Sequence, residues 1–299
     1  MKIIYGLSRS IKFVHPVVAL GVFDGLHRGH RNILKSAVTK AKQIKGTSVA
    51  VTFFPHPQRK LSLYSLAHRL KLIAQLGVDV CIVMKFSRSF AKISAEDFVA
   101  KLLVKKINAQ FVYVGQNFHF GHRALGNCTL LRQTAKRYGF KIKIFKVLKS
   151  GALIISSTAV RALIKESKIK AAQKLLGRRV SILGTVIHGR SIGRGMGYPT
   201  ANINAHHEVV PAAGIYAVKI FLGQKEYSGA CYIGTRPTLK LKNKIKHIEV
   251  HIFNFHRNIY GAVLEIQFIK LIRSDQKFAS LDDLSAQIKK DLYVCRKIL

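Results

Sequence analysis

Between residues 17 and 148 short apolar runs alternate with amphipathic stretches, and after about residue 180 that alternation stops. "VVALGVF", "TSVAVTFFP", "VDVCIVMKF", "AQFVYVG" and "FKIKIFKVL" read as five strands. Between the first two, residues 29–45 carry Ile33, Leu34, Ala37, Val38, Ala41 and Ile44 at helical spacing. "SLAHRLKLIAQLG" reads as a helix closed by Gly77, and "NCTLLRQTAKRYG" as another helix. "SAEDFVAKLLVKKI" opens like a capped helix, with Ser94 followed three residues on by Asp97. Such alternation predicts a parallel sheet with helices on both faces, with right-handed crossovers bringing the strand ends to one edge.

From about residue 180 short alternating runs dominate: "RVSILGTVIHG", "GIYAVKIFL", "KEYSGACYIG", "HIEVHIFNF" and "AVLEIQFIKLIR". They predict antiparallel β structure closed as a small barrel, finished by a helix over "SLDDLSAQIKKDLYVCRKIL". The 299 residues suffice for two domains, and the boundary is expected near "GRRV", giving 1–178 and 179–299.

Lys and Arg total 51 against 13 acids, a formal net charge of +38, which favours anionic partners. Only Asp24, Asp79, Glu96, Asp97 and Glu166 precede residue 178, so a carboxylate inside a motif carries weight. Cys81, Cys128, Cys231 and Cys295 are far apart in sequence and show no metal-ligand spacing. They read as reduced, mostly buried thiols of a cytoplasmic protein. The apolar stretch near the start is too short for a signal peptide, and no apolar run reaches the roughly 18 residues a membrane span needs.

"GVFDGLHRGH", residues 21–30, falls where the first strand ends and the first helix begins. There a sheet presents backbone N–H groups and a positive helix end to an anion, and Gly21 and Gly25 let the backbone approach phosphates. His27 and His30 can donate hydrogen bonds to phosphate oxygens as charge builds on phosphorus. In "ISSTAVRALI", Ser156, Ser157 and Thr158 can cap a helix and bind phosphate at once, and Arg161 can clamp two oxygens.

The first stretch resembles the HxGH signature of the nucleotidyltransferase superfamily, and the second resembles the ISSTxxR element that partners it. "VTFFPHPQ" and "YVGQNFHFGHRALGN" resemble flavin-side elements of the bacterial FAD synthetase module. "HGRSIGRGMGYPTANIN", "YIGTRPT" and "IEVHIFNF" are similar to the flavokinase signature. Together they cover nearly the whole chain and resemble the bacterial bifunctional riboflavin kinase/FMN adenylyltransferase (FAD synthetase) family. The resemblance implies a Rossmann-like nucleotidyltransferase domain followed by a riboflavin kinase barrel. It implies that His27, His30 and Arg161 act in adenylyl transfer, and that Gly21, Phe23, Asp24, Gly25, Ser156, Ser157 and Thr158 bind ATP. Phe54, Pro55, Pro57, Asn117 and Arg273 would contact flavin, while Phe53, facing opposite to Phe54, is expected in the core.

In the second half the resemblance implies a phosphate loop with Gly189, Arg190 and Gly195, and Glu249 as catalytic base. Thr200 and Asn202 offer hard oxygens for Mg²⁺. The chain departs from the family at Val22, often a polar residue, and at Asn254 and His256, usually aspartates. The implied function is phosphorylation of riboflavin to FMN by ATP, then adenylylation of FMN to FAD with release of pyrophosphate. Small molecules are the expected partners, with no specific nucleic acid, no membrane and a monomer or weak homo-oligomer. Alternatives are an adenylyl acceptor other than FMN, or a nucleic-acid-binding protein using basic runs such as 136–146 and 239–247.

Overall fold

The computed structural model describes residues 1–7, 11–57, 62–189, 197–235 and 246–299. The chain divides into two compact units, Met1–Ser62 with Leu66–Ser157, and Leu63–Ser65 with Thr158–Leu299.

The first unit is built on six parallel strands: β1 (Lys2–Tyr5), β2 (Val17–Leu20), β3 (Ser48–Phe54), β4 (Val80–Lys85), β5 (Phe111–Gly115) and β6 (Lys141–Phe145). Their order across the sheet is β1-β4-β3-β2-β5-β6, and every neighbouring pair is parallel. The inner strands are buried along nearly their whole length and mostly apolar because both faces are covered, with Ser48 and Thr52 the buried polar residues of β3. Val18, Leu20, Val49, Val51, Ile82, Val112 and Val114 pack with Phe98, Val99, Leu103 and Leu131 in one core. Helix α1 (Arg28–Gln43) buries Ile33, Leu34, Ala37, Val38 and Ala41, five of the six positions its spacing marked. Helix α2 spans Leu66–Ala74, and Gly77 follows in a left-handed conformation. The capped segment α3 begins at Ala95–Asp97, with Ser94 Oγ accepting from Asp97 N at 3.0 Å, and continues over Phe98–Lys106 as a π-helix. Helix α4 (Cys128–Tyr138) is capped by Asn127.

Sequence periodicity found β2 to β6 but not β1. That strand is a four-residue, largely exposed edge whose only structural signal is its backbone pairing to β4. A two-stranded hairpin, β7 (Lys149–Ser150) and β8 (Leu153–Ile154), follows. The stretch 157–176 then forms two helices, α5 (Ser157–Lys165) and α6 (Ile169–Leu176), broken where Ser167 takes a φ of +56°.

The second unit is a closed antiparallel barrel in the order β10-β13-β12-β11-β14-β9. Its strands are β9 (Val180–Ile187), β10 (Ala201–Asn204), β11 (Gly214–Leu222), β12 (Lys225–Thr235), β13 (Lys246–Ile252) and β14 (Val263–Ser274). Alternate residues such as Ile182, Val218, Ile220, Ile233, Val250, Ile266 and Phe268 are buried. The final helix α7 (Leu281–Ile298) packs on β11, β12 and β14, with Leu292 and Cys295 against Ala217, Ala230 and Phe253. Helix α6 also lies against the barrel, where Gln173 Nε2 donates to the Phe268 carbonyl at 3.0 Å. All four cysteines are free, and burial pushes the Cys81 and Cys295 thiols up to about 12.

Candidate active sites

In the first unit chain order reverses at β2, which has β3 on one side and β5 on the other. An open parallel sheet binds ligands in the crevice beyond the carboxyl ends of strands at such a point. The turn that leaves β2 there is tight: Phe23, Gly25 and Leu26 have φ of +54°, +81° and +39°. Non-glycine residues held in that region signal strain that the surrounding structure must offset. His27 caps α1 by accepting from His30 N through Nδ1 at 3.4 Å. No acid lies in the first turn of α1, so its N–H groups and positive end face no built-in counter-charge there.

The rings of His27 and His30 stack at 3.7 Å between centroids, 20° apart. Burial lowers the His27 pKa to about 4. Burial, then His27, then Arg69 hold His30 well below its ordinary value. Both imidazoles are therefore neutral at pH 7 and can serve phosphate as N–H donors rather than as cations. Phe23, expected to meet ATP, is wholly buried, with its ring edge-on to His30 at 5.5 Å. The Asp24 side chain is buried as well, beside Arg69.

Arg69 lies underneath this turn and was not singled out from the sequence. Its Nη1 donates to the Val22 carbonyl at 2.6 Å and to Thr52 Oγ1 at 3.3 Å, and Thr52 Oγ1 donates to the same carbonyl at 2.8 Å. The signal was present: Arg69 stands three and four residues before Leu72 and Ile73, on the buried stripe of α2. At Val22 the apolar side chain leaves the main-chain carbonyl as the group that is held.

Ser157 Oγ donates to the Asp24 carbonyl at 2.7 Å, tying the second motif to the first. Ser157 opens α5, Thr158 follows it exposed, and Arg161 is half-buried one turn on; Ser156, just before, is half-buried. The flavin-side stretches leave the two strands flanking β2. At the end of β3 Phe53 is buried as expected, and Phe54 is 47% exposed beside exposed Pro55 and half-buried Pro57. After β5, Asn117 is exposed and its carbonyl bonds His119 Nδ1 at 3.0 Å.

In the barrel, antiparallel register sets Asn202 of β10 directly opposite Glu249 of β13. Thr200 precedes Asn202 by two residues, and its Oγ1 donates to Glu249 Oε2 at 3.0 Å. β10 was not among the strands read from alternation; it pairs through Ala201 and Asn202 with β13 and through Asn202, Ile203 and Asn204 with β9. Along β13, Ile248, Val250 and Ile252 are buried while His247, Glu249 and His251 are half-buried on the other face. His247 Nε2 closes on Glu249 Oε1, and His251 Nδ1 bonds the Pro199 carbonyl at 2.8 Å. Gly189 is held to glycine: a Cβ there would stand 1.9 Å from Asn202 Nδ2. Arg190 and Gly195 lie outside the described residues.

Asn202 is buried, and its Oδ1 has no hydrogen-bond partner among the described residues. A hydroxyl that gives its proton to Glu249 keeps lone pairs for another acceptor role. An orphaned amide oxygen and such a hydroxyl fit a hard cation. Among the described residues no cluster of three His, Cys, Asp or Glu could hold a metal. Arg273, expected against flavin, is engaged elsewhere. Its Nε and Nη2 meet the buried Asp291 carboxylate of α7 at 3.0 Å and 2.8 Å, and Nη1 donates to the Ser274 carbonyl.

Residues 12–159 match the FAD synthetase family model, and residues 176–299 match the riboflavin kinase family model. The chain is 37% identical over 307 residues to the bifunctional riboflavin kinase/FMN adenylyltransferase of Buchnera aphidicola subsp. Schizaphis graminum, covering 99% of this chain and 98% of that protein. It is 36% identical to the protein of the same description from Escherichia coli K12, covering 99% and 97%. The chain belongs to the bifunctional riboflavin kinase/FMN adenylyltransferase family. Within that family the first match takes in β2 to β6 and the first constellation up to Thr158, with Arg161 just beyond its end, and the second takes in the barrel with Thr200, Asn202 and Glu249. A crystal structure described as a macrolide-efflux protein from Streptococcus pneumoniae shares the fold, with a TM-score of 0.86 and 29% identity over 99% of both chains. No helix of the described residues here is long and apolar enough to cross a membrane.

Proposed function

We propose that this chain makes FAD from riboflavin in two ATP-dependent steps, one in each of two functional domains, 1–178 and 179–299. In the barrel, Glu249 takes the proton from the riboflavin 5′-hydroxyl. The oxygen then bonds the γ-phosphorus of ATP, and ADP leaves. Thr200 and Asn202 would hold Mg²⁺, which would supply charge neutralisation on the phosphates, and Gly189, with Arg190 and Gly195 from beyond the described residues, would contact them. In the first domain an FMN phosphate oxygen attacks the α-phosphorus of a second ATP, and pyrophosphate leaves.

His27, His30 and the first turn of α1 donate to the phosphates as charge develops. Gly21, Gly25 and the main chain of Phe23 and Asp24 let ATP approach the turn. Ser156, Ser157, Thr158 and Arg161 grip phosphate, and Phe54, Pro55, Pro57 and Asn117 border the flavin. Arg273 acts on flavin indirectly, by anchoring α7 through Asp291. Positioning and charge neutralisation suffice for both steps, with no covalent enzyme intermediate.

The observation that carries this reading is the register pair Asn202–Glu249 with Thr200 on its carboxylate, inside the riboflavin kinase match, beside a separate HxGH turn inside the FAD synthetase match. Reduced thiols suit a cytoplasmic enzyme acting as a monomer or weak homo-oligomer on small molecules. No specific nucleic-acid partner belongs to this reading; in the 136–146 run Lys141 lies over the Phe111 ring and Lys143 over those of Tyr113 and Phe145, and most of the 239–247 run lies outside the described residues. Purified protein given riboflavin, ATP and Mg²⁺ should yield FMN and then FAD by chromatography. Unchanged riboflavin would overturn the kinase assignment; FMN that never becomes FAD would overturn only the adenylyl transfer.

A further inference from the structure

We propose that His247 is a positioning residue for riboflavin phosphorylation, fixing the Glu249 carboxylate from the side opposite Thr200. The inference rests on the reading of Glu249 as base. Glu249 reaches off a strand on a flexible side chain, and a base must lie within hydrogen-bond reach of the proton it removes. Its two oxygens are held separately. Thr200 donates to Oε2 from β10, and His247 Nε2 meets Oε1 from the same strand, two residues earlier and on the same face. A carboxylate oxygen has two acceptor sites, so a single hydrogen bond to each does not exhaust its accepting capacity.

Held from two sides, the group loses its rotational freedom before substrate arrives. Removing that freedom in advance is a recognised route to rate. The imidazole suits this task because Nε2–H donates both in the neutral Nε2–H tautomer, the one a carboxylate partner selects, and in the charged ring. Its own strand limits where it can point, since Ile248 between them faces the buried side. In the reaction the hydroxyl proton moves to Glu249 and the new oxygen–phosphorus bond replaces the bridge to ADP. His247 gains and loses nothing.

The test is steady-state kinetics of the full chain. His247→Leu should lower kcat for FMN formation about tenfold, with KM for riboflavin and for ATP within about twofold. His247→Gln, which sets an amide N–H near the place of Nε2, should recover kcat to within about threefold, whereas the shorter His247→Asn should stay slow. FAD formation from supplied FMN should be unchanged in all three. If His247→Leu does not fold, the comparison of His247→Gln with His247→Asn decides alone. Equal rates in the Gln and Asn variants, or wild-type kcat in His247→Leu while Glu249→Gln is inactive, would overturn the proposal. Wild-type turnover by Glu249→Gln would overturn the base assignment and this inference with it.

Discussion

The two phosphate-handling sites differ most in where they put negative charge. The barrel site holds a half-buried carboxylate, Glu249, supported by Thr200 and His247. The parallel-sheet site presents neutral imidazoles at the start of a helix whose first turn carries no acid, and its one acid, Asp24, has a buried side chain beside Arg69. The nucleophiles explain the difference. Riboflavin brings a neutral alcohol that must lose a proton, so a base is needed. FMN brings a phosphate that is already ionised, so a second carboxylate would only repel it. In a chain with 13 acids among 299 residues, one of them stands where a proton must be removed.

The contrast breaks most sharply at Glu249. Glu249→Gln keeps the size of the side chain and the bond from Thr200 but removes the base. FMN formation should fall by roughly 10²–10⁴-fold, while FAD formation from supplied FMN continues. Equal loss of both steps in a folded protein would sink the separation of sites. His30→Ala is the reciprocal experiment. Removing one preorganised donor should slow FAD formation by about 10²–10³-fold and leave riboflavin phosphorylation at its wild-type rate.

Neutral histidines make a further difference, in acid. The His27 pKa is about 4 in the folded protein against 6.5 when exposed. Between those values the unfolded chain binds more protons, so stability rises with pH. Above pH 6.5 the group is neutral in both states and costs nothing; as pH falls from 6.5 towards 4 the folded state loses stability progressively, and the loss is about 3 kcal/mol once pH is below 4. His30, depressed for the same reason of burial, acts in the same direction. Urea unfolding of His27→Gln should show a shallower loss between pH 6.5 and pH 4 than wild type. Parallel curves would mean that burial does not depress the His27 pKa in the folded protein.

How much of this was legible depended on whether a residue's role repeats along the chain. Strands β2 to β6 and β9, β11, β12, β13 and β14 announce themselves because burial on one or both faces writes a pattern several residues long. β1 and β10 are four residues each and are fixed by pairing rather than by their side chains. His27, His30, Ser157, Thr200, Asn202 and Glu249 were found through motifs, which record chemistry rather than burial. Arg69 and His247 escaped because each matters through one partner distant in space or hidden by strand alternation: the Val22 carbonyl for the first, Glu249 Oε1 for the second. Arg273 shows the opposite case: the resemblance named it as a flavin contact, while its partner Asp291 of α7 carried no motif to mark it.

The smallest expected effect distinguishes two adjacent phenylalanines. Phe53 and Phe54 end the same strand on opposite faces, so one is fixed in the core and the other is left outside. Phe54 is 47% exposed at the carboxyl end of β3, next to the switch point, where an apolar ring has no folding role to explain it. If it borders the flavin, Phe54→Ala should raise KM for FMN about fivefold, roughly 1 kcal/mol, through lost ring contact. kcat, riboflavin phosphorylation and the thermal midpoint should be unchanged. Phe53→Ala, by contrast, should cost about 3 kcal/mol or more of stability through the cavity it leaves. A Phe54→Ala protein with an unaltered KM for FMN would move the isoalloxazine away from the end of β3 and leave Asn117 after β5 as the residue to probe next.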